Sequence, residues 1–345
     1  MTTVYDVARV AGVSTATVSR VISGSTLVSQ DTRERVLAVI DALGFVPDAN
    51  AQGLSNRRKN VIGLVGIERG GTEIDVEHSS VLFIDQIVHA AEGVLRGTGF
   101  SLLLTFGTRG EEYEQRVRSL SGKVDGLLVV EEVMAAGELR ELASRMPLVV
   151  IAGQRAETGL DVFVADNLTG MTAVVAHLVG QHRYSRLCFV AGPKDAPDAR
   201  ERQIAFEQAV LAGPGAVIDQ VIHGDFSEGS GSAAARILLG RTSLPEAVVC
   251  ANDQMAIGVL RELQRAGIRI PQDIALTGFD DIYPSRLVEP QLTTVSQPVR
   301  ELGTRAAQRL LTRITERQLP ASAQLLPTTA VIRASCGCRP SHGDH

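Results

Sequence analysis

The 345-residue sequence contains no tryptophan, and aromatic residues make up only 4% of it, so any core must be built mainly from Ala, Val, Leu and Ile. Four cysteines are too few for a disulfide framework. Cys188 and Cys250 sit inside the apolar runs LCFVAG and VVCAND and read as small buried hydrophobes. No apolar run is long enough to span a bilayer. The opening MTTVYDVARV puts Asp6 where an export signal would be apolar, so a reduced, cytoplasmic protein without membrane contact is expected. Catalytic signatures are missing too. No GxGxxG follows a strand, and Gly122-Lys123 is followed by Val124 where a phosphate loop needs Ser or Thr. The seven histidines are scattered, none beside a plausible nucleophile. Neither an enzyme nor a cofactor is expected.

What is present is length and an uneven charge. A chain this long exceeds one ordinary core, so two or three domains are expected. Residues 1–60 carry seven Lys/Arg against five Asp/Glu, a net +2, which leaves 27 against 34, a net −7, for the remainder. The overall −5 argues against nucleic acid, but the change of sign along the chain reopens that question.

Residues 3–45 read as three short helices. Thr3 is a candidate N-cap for the first, with Val4, Val7, Ala8 and Ala11 at helical spacing and Gly12 ending it. Ser14 is the next candidate cap, with Val18, Val21 and Ile22 inward. The third runs from about Gln30 to Leu43, with Val36, Leu37, Ile40 and Leu43 inward. Helices this short bury little, as in a small domain kept for its surface. PDANAQGLSNRRKN, residues 47–60, reads as a linker, in its plainest form a flexible, charged tether.

From Val61 the pattern changes. Apolar runs (VIGLVGI, SLLLTF, GLLVV, PLVVIAG, LCFVAG, QVIHGDF, AVVCAND, IALTGFDD) alternate with helical stretches near 82–97, 111–121, 137–145, 167–180, 200–212, 229–239 and 254–266. Near-continuous apolar strands separated by helices imply parallel sheets covered on both faces. About ten such units exceed one sheet, so two doubly wound lobes are expected, with ligands beyond the carboxyl ends of the strands. Those ends carry Asp166-Asn167, Asn252-Asp253 and Asp280-Asp281.

The second helix, STATVSRVISG, follows a turn of about three residues, the layout of a helix-turn-helix. Its outer face holds Thr15, Ala16, Thr17, Ser19 and Arg20 rather than Glu and Lys. Short side chains let a helix approach base edges, hydroxyls reach phosphates and thymine methyls, and an Arg can read guanine. Similar spacing also occurs in unrelated helical hairpins.

VYDVARVAGVSTATVSRVISG, the following VSQDTRERVLAVIDALGFVPDANAQGLSNRRKNVIGLV, and then VDGLLVV, ADN with Gly170, FVAGP, ANDQMAIGVL, GIRIPQDIALTGFDD and PQLTTVSQPVRELGTRAAQRLL resemble the LacI/GalR family of bacterial transcription regulators. The resemblance runs through essentially the whole chain. It implies a helix-turn-helix headpiece over 1–46, a hinge helix over 47–60, and two periplasmic-binding-protein-like lobes over 61–335. The first lobe would take about 61–163 and 291–324, the second about 164–290 and 325–335, leaving 336–345 as a tail. It also implies a homodimer on double-stranded operator DNA. Thr15 and Ala16 match the positions that set which operator is read, and Arg20 matches a base- or backbone-contacting arginine. Ser14, Thr17 and Ser19 match phosphate contacts, although Thr17 and Ser19 also fit an ordinary helix surface. Thr3 and Asn50 are further DNA-contact candidates, and Ala51 and Leu54 match the hinge helix that wedges the minor groove. Gln52-Gly53 departs from the family's usual Arg-Ser, and Gly53 disfavours a helix.

For the effector the resemblance points to Arg202, Asp280, Asn252 and Phe226, with Arg200 and Asp198 as neighbours on the same loop. Ala205 stands where the family's Arg-x-x-Gly-Phe has Gly. Planar donors and acceptors beside one apolar face suit a hydroxyl-rich ligand, and a carbohydrate is expected. Asp280 and Asn252 also fit as plain helix caps. Ala152 replaces an acidic residue of some sugar-responsive members, residues 68–80 look longer and more acidic than usual, and Arg183-Tyr184 replaces a common Gly-His. Cys336, Cys338, His342 and His345 could form a soft-metal cluster, but a frayed, metal-free tail is expected. No heptad tail points beyond a dimer. The expected protein is an effector-controlled repressor. The alternatives are an activator or corepressor-dependent regulator answering to a purine, nucleoside or sugar acid, and a carbohydrate-binding protein without regulatory role.

Overall fold

The computed structural model describes residues 2–22, 25, 27–45, 58–67, 81–131, 134–154 and 159–338. The chain divides into two compact units, Met1–Asn60 and Val61–His345.

The first unit holds α1 (Val4–Ala11), α2 (Thr15–Ile22) and α3 (Gln30–Ala42). The Thr3 hydroxyl accepts from the Asp6 amide, and the Asp6 carboxylate accepts from the Thr3 amide, so two donors at the start of α1 are satisfied reciprocally. Gly12 takes the left-handed conformation (φ 65°) that ends α1 and opens the turn. The Ser14 hydroxyl then accepts from the Thr17 amide at 3.1 Å and caps α2. Val7, Ala8, Ala11, Val18, Val21 and Val36 form the small core, with Val39 and Ile40 packed against it. Leu37, expected inward, is half exposed. The inward stripe of α3 runs through Val36, Val39, Ile40 and Leu43, and Leu37 lies one step round the helix from it.

The second unit alternates strands and helices. In chain order it holds β1 (Val61–Ile67), α4 (Val81–Leu95), β2 (Ser101–Gly107), α5 (Glu111–Leu120), β3 (Gly126–Val130), α6 (Ala136–Arg145), β4 (Leu148–Ile151) and β5 (Asp161–Ala165). There follow α7 (Asn167–Gly180), β6 (Arg186–Ala191), α8 (Pro197–Ala212), β7 (Val217–His223), α9 (Glu228–Leu239), β8 (Ala247–Cys250), α10 (Asp253–Arg265) and β9 (Ala275–Thr277). The chain closes with β10 (Thr294–Ser296), α11 (Val299–Thr315), β11 (Ala323–Leu326) and β12 (Thr329–Val331). One parallel sheet has the order β2-β1-β3-β4-β5-β11 and the other β7-β6-β8-β9. In each, the strand order reverses beside the first-formed strand, which opens a crevice at the carboxyl ends.

The chain passes between the two lobes three times, after β5, after β10 and after β11. Leu292 and Val295 pack in the core of the second lobe, Val299 and Leu326 in that of the first. The expected boundaries at 291 and 325 therefore move to the segments between Ser296 and Val299 and after Leu326. Residues 291–296 join the second lobe because β10 pairs with β12 and Asp280 bridges to Ser296. Helix α7 lies so close to these crossings that a Cβ at Gly170 would come within 2.6 Å of Val295. Asp161, fully buried at the start of β5, is held by Arg309 and Arg313 of α11 and accepts from the Ser322 amide at 2.8 Å.

Candidate functional site

Two surfaces carry the sequence-derived candidates. On the first unit Ser14, Ala16, Ser19 and Arg20 are exposed, and Thr15 and Thr17 are half-buried. Val18 and Val21 turn inward, so the opposite face of α2 presents hydroxyls, a methyl and one guanidinium to solvent. Thr3 is exposed as well, while acting as the cap of α1. Asn50, Ala51 and Leu54 lie outside the described residues, as do Gln52-Gly53 and the stretch 68–80.

The second surface is a cleft between the lobes, with ≈ 550 Å³ of empty space counting its open mouth. It collects the strand ends. Glu131 follows β3, Ala152 follows β4, Asn252 and Gln254 follow β8, Asp280 follows β9 and Gln297 follows β10. Asp198 and Arg202 reach it from the first turns of α8, and Phe226 from the loop after β7. Phe83 and Ile282 supply apolar wall.

Arg202 is the centre of this arrangement, 3% exposed. Its Nε donates to Asn167 Oδ1 at 2.9 Å, and Nη1 donates to the Ala251 carbonyl at 2.7 Å and to Asp280 Oδ1 at 3.2 Å. Asp198 lies 3.7 Å from Nη2, and the guanidinium carbon sits 3.9 Å from the centre of the Phe279 ring. Burial raises both carboxyls, Asp198 to about 7 and Asp280 to about 6, against the opposing pull of Arg202. Gln297 also donates to Asp280 Oδ1. Asp280 occupies a left-handed conformation (φ 118°) and caps no helix.

Asn252 does cap a helix. It accepts from the Met255 amide at 3.0 Å and donates to the Phe226 carbonyl at 2.9 Å, so it fixes the loop bearing Phe226 while lining the cleft. Arg200 is a correction. It is exposed and donates to the Lys194 carbonyl at 3.2 Å, because two residues along α8 turn a side chain to the opposite face from Arg202. Asp198, four residues from Arg202, stays on the cleft face.

Asn167 was passed over in the sequence. It is 1% exposed and donates to Asp198 at 3.1 Å and Glu201 at 2.9 Å while holding Arg202. Its signal was the ADN triplet after an apolar run, which marked a strand end without saying which side chain turned into the cleft. Gln297 and Glu131 were missed as well, because single polar residues after a strand are common.

The frayed tail is a second correction. Cys336 is fully buried in the core of the second lobe, and Cys338 is half-buried. Both meet His177 and Cys338 also meets His182, while His342 and His345 lie outside the described residues. No helix among the described residues is long and apolar enough to cross a membrane.

A helix-turn-helix unit with a hydroxyl-bearing face, and a two-lobed cleft built round a buried arginine, are the parts of a ligand-responsive DNA-binding protein. Comparison with known proteins agrees. Residues 3–48 match the bacterial regulatory proteins of the lacI family, and residues 175–336 match a periplasmic binding protein-like domain. The HTH-type transcriptional regulator GalR of Escherichia coli (strain K12) is 33% identical over 340 residues, 97% of this chain and 96% of that protein. A lac repressor dimer bound to operator and the anti-inducer ONPF superposes with a TM-score of 0.83 at 27% identity, covering 97% of this chain and 99% of that one. A complex of the transcriptional regulator CelR with cellobiose gives 0.70 at 32% identity, covering 97% and 100%. The chain belongs to the LacI family of bacterial transcription regulators.

Proposed function

We propose that the chain is a homodimeric repressor of transcription, acting by binding alone and in the cytoplasm where its DNA lies. Residues 1–46 bind a pseudo-palindromic operator, α2 entering the major groove with Thr15, Ala16 and Arg20 toward the bases and Ser14, Thr17 and Ser19 toward phosphates. Asn50, Ala51 and Leu54 of the 47–60 hinge reach the minor groove. A small hydroxylated ligand, a carbohydrate or its derivative, binds between the lobes and weakens the operator complex.

The observation that carries the ligand reading is the Asp198–Arg202–Asp280 cluster, with one guanidinium between two carboxyls in a cleft that also holds Asn252, Gln297 and Phe226. Adjacent sugar hydroxyls each offer a donor and an acceptor, which such a set can match while an aromatic face covers the apolar side of the ring. A relative solved with cellobiose, and another solved with the anti-inducer ONPF, support the reading of a small-molecule effector. A thermal-shift screen of the full chain against sugars, sugar acids and nucleosides tests the reading. One sugar is expected to raise the melting temperature in wild type and not in Arg202→Ala. A response confined to nucleosides would replace the carbohydrate by a purine.

A further inference from the structure

Four ligand-type side chains converge away from the cleft. His177 lies in the last turn of α7, His182 in the turn after it, and Cys336 and Cys338 flank Gly337 near the end of the described chain. The two histidine Nε2 atoms are 3.2 Å apart. His177 Nε2 is 3.5 Å from Cys336 Sγ and 3.4 Å from Cys338 Sγ, and His182 Nε2 is 3.4 Å from Cys338 Sγ. All four atoms lie within 4.8 Å of one another.

Hydrogen bonding does not account for this. An imidazole Nε2 offers either one proton or one lone pair, yet that of His177 faces three polar atoms at once. A tetrahedral ion does account for it. Zinc bound at about 2.0–2.1 Å to nitrogen and about 2.3 Å to sulfur requires ligand–ligand edges of about 3.3–3.4 Å between nitrogens and about 3.5–3.6 Å between nitrogen and sulfur. Four of the six edges, the one between nitrogens and three between nitrogen and sulfur, fall within about 0.2 Å of these.

The surrounding residues hold the ligands in place. Gly337 adopts φ 103°, and a Cβ there would approach Tyr184 Oη at 3.1 Å and the His182 ring at 3.3 Å. The ring of Tyr184 stacks on His182, with centroids 5.4 Å apart and planes 13° apart, and its hydroxyl donates to the Cys336 carbonyl at 3.2 Å. His-x4-His has the spacing of zinc ligands, whereas Cys-x-Cys is tighter than usual and depends on the left-handed Gly337 to bring both sulfurs round.

We propose that His177, His182, Cys336 and Cys338 bind one structural zinc ion. Two thiolates and two imidazoles favour zinc over magnesium or calcium, and four protein ligands leave no open position for substrate. Asn167, at the cleft end of α7, is ten residues from His177, or about 15 Å along the helix. The metal therefore stands apart from the effector. It ties the segment that follows the third crossing between the lobes to the far end of the helix whose start holds Arg202.

The test is the metal content of the untagged full-length chain, purified without chelator and measured by inductively coupled plasma mass spectrometry. One zinc per chain is expected, lost in Cys338→Ser and in His182→Asn and kept in His89→Asn, a change at an exposed histidine. Cobalt added to the stripped wild-type chain is expected to give thiolate-to-metal charge-transfer absorption that zinc abolishes, a readout that stands even if a variant fails to fold. A metal-free chain that takes up neither zinc nor cobalt would overturn the proposal, whether its thiols are free or joined as a Cys336–Cys338 disulfide. Zinc retained at one per chain in the Cys338→Ser/His182→Asn double variant would overturn it too.

Discussion

Arg202, from the helix that follows β6, donates to Asp280, beyond the end of β9, at 3.2 Å, while its guanidinium carbon lies 3.9 Å from the centre of the Phe279 ring. The contact joins the start of α8 to Asp280, which also bridges to Ser296 and accepts from Gln297 in the crossing between the lobes that follows β10. A ligand that competes for Asp280 or Arg202 therefore acts on the residues that connect the two lobes.

Removal of that guanidinium separates two roles. Arg202→Ala leaves Asp198 and Asp280 without their buried partner, and breaking such a pair costs about 3–5 kcal/mol. The variant is expected to melt earlier, to bind operator below its melting range, and to ignore the effector. Operator titrations with and without effector check this; loss of operator binding while the chain remains folded would make Arg202 structural instead.

The same carboxyls give a pH dependence. Asp198 at about 7 and Asp280 at about 6 hold their protons longer in the folded chain than at the ordinary value of 3.8. Their contribution to stability is complete below that value and is lost as pH rises through about 6 to 7. Wild type should lose melting temperature between about pH 5 and pH 8 more steeply than Asp198→Asn. Parallel curves for the two proteins would remove Asp198 from the account.

Asp161 offers a stability test remote from both sites. Replacement by Ala leaves Arg309 and Arg313 facing a void where a carboxylate was fully buried, an effect of about 3–5 kcal/mol. Denaturant melts of the full chain are expected to show a lower midpoint for the second unit, with the headpiece unaffected.

On the DNA side, exchange of Thr15 and Ala16 for another residue pair should change which operator is preferred, at about 1–3 kcal/mol per lost base contact. Thr17→Ala, at a proposed phosphate contact, should weaken all operators alike. Competition binding against a randomised operator library distinguishes the two patterns.

Much of this was legible in the sequence because periodicity is local. The helices of both lobes except α11 were visible as apolar stripes, and the family resemblance pointed to Asp280 and Arg202. Other features were not. The strand Asp161–Ala165 is only five residues long and opens on an acidic residue, so its apolar run is too short to stand out. The lobe of Leu292 and Val295 depends on pairing with β12, some 35 residues away. Arg200 and Arg202 look equivalent until helix rotation separates them. His177 and His182 lie about 155 residues from the two cysteines, and no local pattern announces that they meet.

The central claim is that operator binding and cleft occupancy are coupled. It is tested most directly by fluorescence anisotropy of the full chain on the DNA flanking its own gene, at one fixed salt concentration because phosphate contacts make affinity salt-dependent. Tight binding that one sugar releases is expected, and by reciprocity that sugar should bind the DNA complex more weakly than the free protein. Specific operator binding that no sugar, sugar acid or nucleoside alters would contradict the claim.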